Sequence, residues 1–540
     1  MTLQNAVRGE AASTHSRHRD EKEIKPMNKL ILLVNPSTGG KRFDRKDRLR
    51  GYLSLGTLAS ALRDQEFLRA FNRRLGMSSE KRPAFDVRIL QLSLKPPEED
   101  LWSFFSNAAR GLSSEPLIVG MTASSTRLEE ARGVAEVTRA LWPHALRVIG
   151  GPHVSAEPGW FLRQSDYELA CLGDGVETLS ELALRLAEER TLDLATVPGI
   201  AYKDNNGMVR QTPRLHFLFP LDGYPFPSRS LDLFLEDADD LSRNAEDVAF
   251  VLGGMGCPYD CAFCAQQAIH QGMVRERSAE AIFAEMASLH KRGFHRFALV
   301  QESLLRDRQR MLHLCELIDK SGVKWEWTLE ARADQVDRAL LERMRQTGLR
   351  FIQVGLESGD QHLLERIGKG IRLEQVAALI DWCRELRIHT TLYLLVGLPG
   401  QGWGSILNTA DFVCEHLPYN GATMHASVAI AIPYPGTRLD KEKVVRLVTR
   451  GEGSIDWPDR NPDVVVDESG AVVGLGPTET DAMSSAEILK AFWYLDDFCH
   501  FTLHAFQDGN LSHKERLRSL ELARWSYDRI AERASSSRFT

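Results

Sequence analysis

The sequence predicts an α/β protein in which a doubly wound parallel sheet precedes an open six-unit β/α barrel, with a mostly helical region after them. Three observations carry this. Short apolar runs alternate with helical patterns from Asn28 to Ala187. The alternation resumes at Val248 and yields six strand-like runs up to Ile430. In both stretches the runs end in glycines, small residues or polar pairs, and in such folds ligands gather at the carboxyl ends of strands.

Composition sets the bounds. A chain of 540 residues is long enough for about three to four domains, fewer if one is a barrel. The 43% hydrophobic and 26% charged residues are ordinary for globular proteins, so most of the chain should fold. With a net charge of −7 and no basic stripe interleaved with aromatics, nucleic acid is not an expected partner, and a small-molecule or peptide substrate fits better. Of the eight cysteines, Cys257, Cys261 and Cys264 cluster, whereas Cys171, Cys315, Cys383, Cys414 and Cys499 are scattered. That is no disulfide framework and points to the cytoplasm. Residues 1–26 lack apolar periodicity and read as a disordered tail, neither signal peptide nor anchor, and Met27 stands where a natural start would fall. No run reaches eighteen apolar residues, so no membrane is expected.

The first domain spans 27–215. Strands are expected at Leu30–Val34, Val87–Leu92, Leu117–Met121, Leu146–Ile149 and Glu168–Cys171. Helices are expected near Leu53–Leu62, Leu101–Ala109, Leu128–Leu141 and Glu177–Ala187. Four strand ends carry small residues: Asn35-Pro36-Ser37, Gly120-Met121-Thr122, Gly150-Gly151-Pro152-His153 and Gly173-Asp174-Gly175. Small residues there let a large flat ligand approach the backbone, although glycines that only turn the chain would look the same. Ile200–Lys203 and Met208–Gln211, joined by Asp204-Asn205-Asn206-Gly207, read as a closing β-hairpin. A Pro-rich linker occupies 216–245.

The barrel spans 246–445 and opens on V-A-F-V-L-G-G-M-G-C-P-Y-D-C-A-F-C, Val248 to Cys264. A buried strand empties here into a loop with three thiols. Three thiolates can face three corners of an iron–sulfur cubane and leave the fourth iron open, whereas structural zinc wants four ligands and no second pair lies nearby. Ser278 is placed to cap a helix presenting Ile282, Phe283, Met286 and Leu289. Later strands fall at Phe297–Val300, Trp325–Leu329, Phe351–Leu356, Thr391–Val396 and Met424–Ile430. They end in Gln301-Glu302, in Glu330 and Arg332, in Val354-Gly355-Leu356-Glu357-Ser358-Gly359, in Leu395-Val396-Gly397-Leu398-Pro399-Gly400 and in Ile432-Pro433-Tyr434-Pro435-Gly436-Thr437. Residues 446–540 form the mostly helical region, with helices at about Ser485–Phe506 and Ser512–Arg533. Phe492, Trp493, Phe498 and Phe501 give the first an aromatic face, for core packing or for a substrate wall.

The Cys-x-x-x-Cys-x-aromatic-Cys loop, with Phe263 as the aromatic, resembles that of the radical S-adenosylmethionine (SAM) enzymes. The resemblance implies a [4Fe-4S] cluster on Cys257, Cys261 and Cys264. Its open iron would chelate SAM, and one electron, from a donor such as flavodoxin or ferredoxin, would release a 5′-deoxyadenosyl radical. It further implies that Gln301 and Glu302 meet the methionine end of SAM, although the frequent Gly-Gly or paired-acid pattern is missing. Glu357 and Ser358 would lie beside SAM and the Gly397 segment on adenine. Arg332 would take a SAM or substrate carboxylate, an ion pair with Glu330 or Asp334 being the alternative.

V-I-G-G-P-H-V-S followed by L-G-D-G-V-E-T resembles the Rossmann-like amino-terminal domain of the cobalamin-binding members, over residues 28–215. The Pro-Gly-Thr turn after the sixth strand is similar to theirs. This implies that Ser37, Thr122, Gly150, Gly151, Pro152, His153, Gly173 and Gly175 surround cobalamin, and that a bulky residue at Gly151 would block it. Because the Asp-x-His-x-x-Gly motif is absent, no motif histidine is expected on cobalt. His153 is then a loop residue near the nucleotide tail, or plain packing. The implied reaction is methyl transfer to an unactivated carbon. Alternatives are oxidation, cyclisation or rearrangement with the same cofactors, or a non-enzymatic electron-transfer protein.

Overall fold

Leu30 to Val34 are buried without a break, because a strand in the middle of a parallel sheet is covered on both faces. In the computed structural model Ile31 and Leu33 feed one core and Leu32 and Val34 the other. The structure describes residues 29–36, 45–76, 84–96, 98–188, 192–214, 217–228, 231–235, 248–416, 424–448, 454–455, 463–466, 472–476 and 478–505. The tail 1–26, Ser37 and the expected helix Ser512–Arg533 lie outside them.

The first unit runs β1 (Lys29–Asn35), α1 (Arg45–Arg63), α2 (Gln65–Arg74), β2 (Phe85–Gln91), α3 (Leu101–Ala109), β3 (Ile118–Thr122), α4 (Leu128–Leu141) and β4 (Leu146–Gly150). It continues through α5 (Pro152–Ala156), α6 (Pro158–Arg163), β5 (Leu169–Cys171), α7 (Val176–Ala187), β6 (Ile200–Lys203) and β7 (Val209–Gln211). The sheet order is β2-β1-β3-β4-β5-β6-β7, parallel through β5 and closed by the antiparallel hairpin. The strand order reverses between β1 and β3, which opens a crevice at their carboxyl ends.

Three helices were not expected. Asp64 caps α2 by accepting from the Phe67 amide. Pro152 and Pro158 each stand in the first turn of α5 and α6, where a fixed φ starts a helix and the missing N–H costs nothing. Pro152 and His153 therefore lie on a helix, and the loop expected for His153 is corrected.

The second unit begins with β8 (Val248–Leu252), the two-residue strand β9 (Gly254–Met255), α8 (Gln266–His270) and β10 (Arg275–Glu276). Then come α9 (Ala279–Lys291), β11 (Arg296–Val300), α10 (Arg308–Ser321), β12 (Glu326–Ala331), α11 (Arg338–Gln346), β13 (Leu349–Glu357), α12 (Gln361–Arg366) and α13 (Leu373–Glu385). The last β/α units are β14 (His389–Val396), α14 (Trp403–His416), β15 (Met424–Ile430) and α15 (Arg438–Lys441). Strands β8, β11, β12, β13, β14 and β15 form a six-stranded parallel sheet in that order, so the barrel is open between β8 and β15. Val251, Leu299, Leu329, Val354, Leu394 and Val428 pack under the helices. On the other face Phe250, Thr328, Gln353 and Tyr393 are half-buried and Val300, Glu330 and Ser427 exposed, leaving the inside of the barrel hollow.

The carboxyl-terminal region is less helical than expected among the described residues. β16 (Val445–Val448) pairs antiparallel with β17 (Ser454–Ile455) and β20 (Thr478–Thr480), while β18 (Asp463–Val466) pairs with β19 (Val472–Gly476). Runs of valine favour strands even in a Pro- and Asp-rich stretch. Helix α16 (Ser485–Ala505) follows, and its Phe492 and Phe498 are buried in the barrel core, so these two aromatics are packing. Among the described residues no helix is long and apolar enough to cross a membrane.

Candidate functional site

The loop after β8 is shaped by glycines that cannot be replaced. At Gly256, φ is +84° and an added Cβ would stand 2.0 Å from the Met273 carbonyl oxygen; at Gly254 it would stand 2.7 Å from that of Arg275. The loop is pinned at both ends of Ala262, whose amide donates to the Ile367 carbonyl at 2.8 Å and whose carbonyl accepts from the Leu439 amide at 3.1 Å. The Gln267 side-chain amide holds the Tyr259 carbonyl at 2.8 Å.

In this frame Cys257 and Cys261 are buried, Cys264 is half-buried, and all three are free thiols. Burial raises each thiol above its ordinary range, Cys264 to about 11. Two cations oppose this: the fields of Arg332 and Lys369 both favour the thiolates of Cys257 and Cys261. Among the described residues no three His, Cys, Asp or Glu converge on a single ion. Thiolates that occupy separate corners of a cubane need no such convergence, so the donor set fits an iron–sulfur cluster.

The strand ends surround this loop, and the structure sorts the expected SAM residues by what they touch. Glu357 is held at φ +67°, and its buried carboxylate accepts from Lys369 Nζ at 2.6 Å. The Lys369 ammonium also lies 5.7 Å from the Phe263 ring, so the pair borders the cysteine loop. Glu302 is driven above the ordinary carboxylate range, first by burial and also by the Glu330 charge; its buried Oε2 has no partner among the described residues. Gln301 is committed to the framework, its Oε1 accepting from Arg310 at 2.9 Å. Ser358 is fully buried, 3.2 Å from the Thr409 hydroxyl, and fixes the turn.

Arg332 forms a two-pronged ion pair with Asp334, at 3.1 and 3.0 Å, the alternative left open above. It also donates to the Lys369 carbonyl at 2.7 Å, lies 3.6 Å above the Tyr259 ring and sets Nη1 3.9 Å from Cys261 Sγ, so it clamps the cysteine loop. At Gly397, φ is +85°, its amide is bound by Gln401 Oε1 at 2.7 Å, and a Cβ would meet Ile488 of α16. It serves the turn.

The second site is a cavity of about 380 Å³ at the switch point of the first sheet. Thr122, Gly150, Gly151, Pro152, Gly173 and Gly175 all line it, and so do the apolar Leu33, Val148 and Leu179. Its far wall comes from the barrel unit: Leu252, Met255, Ile269 and His270. The glycines keep their positions for two reasons. Gly173 and Gly175 have φ of +92° and +72°, while a Cβ at Gly151 would strike the Ala123 carbonyl at 2.6 Å and enter the framework. At Gly150 a Cβ would have 4.0 Å clearance and φ is not positive, so there the missing side chain is free space. The bulky substitution suited to filling the cavity therefore belongs at Gly150, a correction to the choice of Gly151.

His153 does not line this cavity. It is buried, its Nδ1 3.0 Å from the Ser125 hydroxyl and its ring edge-on to Trp160, and burial holds its pKa down at about 4. The packing role is the one the structure gives it. Two groups that matter here were not singled out from sequence. Lys369 could not be matched to Glu357 before the fold joined them. His270 reaches the cavity only because α8 starts two residues after Cys264 and points its end at the first unit.

A family profile described as the B12 binding domain matches residues 55–183, and one described as the Radical SAM superfamily matches 251–413. An uncharacterized methyltransferase of Pyrococcus horikoshii is 28% identical over 368 residues, 67% of this chain and 76% of the relative. Cytidylyl-2-hydroxyethylphosphonate methyltransferase of Streptomyces wedmorensis is 23% identical over 64% of this chain and 71% of its own length. Among solved structures, the radical SAM methyltransferase TsrM of Kitasatospora setae, with cobalamin and a [4Fe-4S] cluster bound, superposes with a TM-score of 0.61 over 89% of each chain at 18% identity.

Proposed function

Because this chain belongs to the cobalamin-binding radical SAM enzymes, we propose that it transfers a methyl group to an unactivated carbon of a small-molecule or peptide substrate. The observation that carries the reading is the shared wall: α8, directly after the cysteine loop, lines the cavity of the first unit with Ile269 and His270. Two cofactor sites so close together suit a reaction that takes a hydrogen atom from a carbon and returns a methyl group to it. When bound, the cluster supplies the electron that splits SAM into a hydrogen-abstracting radical, and cobalamin carries the methyl group.

The chain's own residues hold and shield. Cys257, Cys261 and Cys264 bind the cluster, with Arg332 and Lys369 offsetting thiolate charge. The buried, unpartnered Glu302 Oε2 is placed to take the amino group of SAM. Glu357, fixed by Lys369, lines the same site. Thr122, Gly150, Gly151, Pro152, Gly173 and Gly175 bring backbone close to the corrinoid. The substrate occupies the hollow barrel face, where Glu330, Gln353 and Ser427 offer polar contacts. An electron donor such as flavodoxin or ferredoxin completes the system.

The test is an anaerobic incubation with SAM, reductant and hydroxocobalamin, analysed for 5′-deoxyadenosine, S-adenosylhomocysteine and methylcobalamin. All three products are expected. Formation of 5′-deoxyadenosine without S-adenosylhomocysteine would leave SAM cleavage standing and remove methyl transfer.

A further inference from the structure

We propose that Arg214, at the seam between the two units, supplies positive charge for an anionic phosphodiester, the one in the nucleotide tail of a corrinoid held in the neighbouring cavity. This rests on the cobalamin reading above and adds to it a residue and the group that residue meets.

The bonding of Arg214 is unlike that of its neighbours. Its guanidinium donates to three carbonyls, Ile269 at 2.5 Å, Ala268 at 3.0 Å and Ser155 at 2.8 Å, and so staples α5 to α8. Carbonyls satisfy N–H groups without neutralising the charge, and among the described residues no carboxylate pairs with it. Nearby Arg275 has Asp174 at 2.5 Å and Arg277 has Glu285 at 2.5 Å. Arg214 alone of these three carries an uncompensated charge while half-buried, an arrangement that favours an anion nearby.

The place of that charge is set by its partners. Ile269 lines the cavity, and so does Gly173, whose amide donates to the Ser155 hydroxyl at 3.1 Å. A Cβ at Gly173 would stand 3.9 Å from the Ile269 carbonyl oxygen, the atom that accepts from Arg214. Arg214 thus sits one carbonyl behind the cavity wall where the two units meet. Its field is felt on that wall: the His270 imidazole is held at about 4, by burial first and then by Arg214 and Arg275.

The ligand's chemistry supplies the match. The side chains of the corrin ring in cobalamin are neutral amides, and its anionic group is the phosphodiester that joins the ring to the nucleotide base. The apolar lining of the cavity, Leu33, Val148 and Leu179 among it, suits a flat base. A linking phosphodiester on the side of the cavity that Ile269 and Gly173 line would meet the Arg214 charge.

The experiment compares hydroxocobalamin with aquahydroxocobinamide, a corrinoid lacking the nucleotide tail, by equilibrium binding to the full chain with its cluster loaded. Wild type, Arg214→Met and Arg214→Lys are measured at two salt concentrations. Loss of the charge should weaken hydroxocobalamin about tenfold, the order expected for one partly screened charge, and leave the cobinamide within about twofold. Arg214→Lys should restore most of the difference, and the salt dependence of cobalamin binding should shrink in Arg214→Met. Equal weakening of both corrinoids would make Arg214 a structural staple and overturn the proposal, as would no change in either. If Arg214→Met loses its cluster, Arg214→Lys decides alone: a retained preference for the phosphodiester ligand supports the proposal, and a lost one ends it. A wild-type protein that holds neither corrinoid while its cluster is loaded overturns the cobalamin reading itself.

Discussion

The Lys369 ammonium lies 2.6 Å from the Glu357 carboxylate, with both side chains buried, on a strand end held at φ +67°. Neither charge has solvent to fall back on, so each depends on the other. Removing the cation alone, as in Lys369→Met, should cost about 3–5 kcal/mol and lower cluster loading, because a lone carboxylate is left beside the thiols. Lys369→Met with Glu357→Gln should recover part of that loss. Urea titrations of the metal-free proteins give the comparison; if the double variant is no more stable than the single one, the pair is not coupled.

Cys257, Cys261 and Cys264 should be needed together. Replacement of any one by Ala is expected to abolish the cluster absorbance and bound iron after anaerobic reconstitution, whereas Cys315→Ala, at a buried thiol far from the loop in sequence, should leave both intact. Full iron content in the triple variant would remove the assignment.

His153 ties stability to pH. Its ordinary pKa of 6.5 falls to about 4 in the folded chain through burial, so the unfolded chain takes up the proton first. The stabilisation is therefore complete above pH 6.5 and declines as pH falls from 6.5 to 4, by about 3 kcal/mol in all. Below pH 4 it is gone. The slope of unfolding free energy against pH between 5 and 6.5 should flatten in His153→Asn; an unchanged slope would assign the acid sensitivity elsewhere.

Gly150→Leu should fill the cavity where there is clearance, abolishing corrinoid retention while iron content and SAM cleavage persist. Gly151→Trp should instead disrupt the domain, because its side chain starts inside the Ala123 backbone. Circular dichroism and iron analysis separate the two. Retained cobalamin in Gly150→Leu would place the ligand elsewhere.

Much of this was legible in the sequence because it is written locally. The strands of both sheets follow from short apolar runs, the three thiols from their spacing, and six of the residues that line the cavity from small side chains at strand ends. The loop expected at His153 is the first turn of α5, since a proline such as Pro152 begins helices as well as ending them. What could not be read was contact across the chain. Arg332 and Ser358 were placed at the right strand ends, but whether a side chain there faces a ligand or its own scaffold depends on partners such as Asp334 and Thr409 that only the fold supplies.

The position of α8 bears on how such a protein could be re-engineered by exchanging parts. Chain order suggests a breakpoint in the linker 216–245, with a corrinoid module before it and a SAM module after it. Yet Met255, Ile269 and His270 belong to the cavity of the first unit, and Arg275 closes on Asp174 from beyond the cysteine loop. A cut in the linker would therefore graft a foreign module onto a wall shaped for another. A cut after the cysteine loop fares no better, because β8 pairs with β11 and Ala262 is held by Ile367 and Leu439, so the transplantable piece runs from β1 through α15 and carries both sites together.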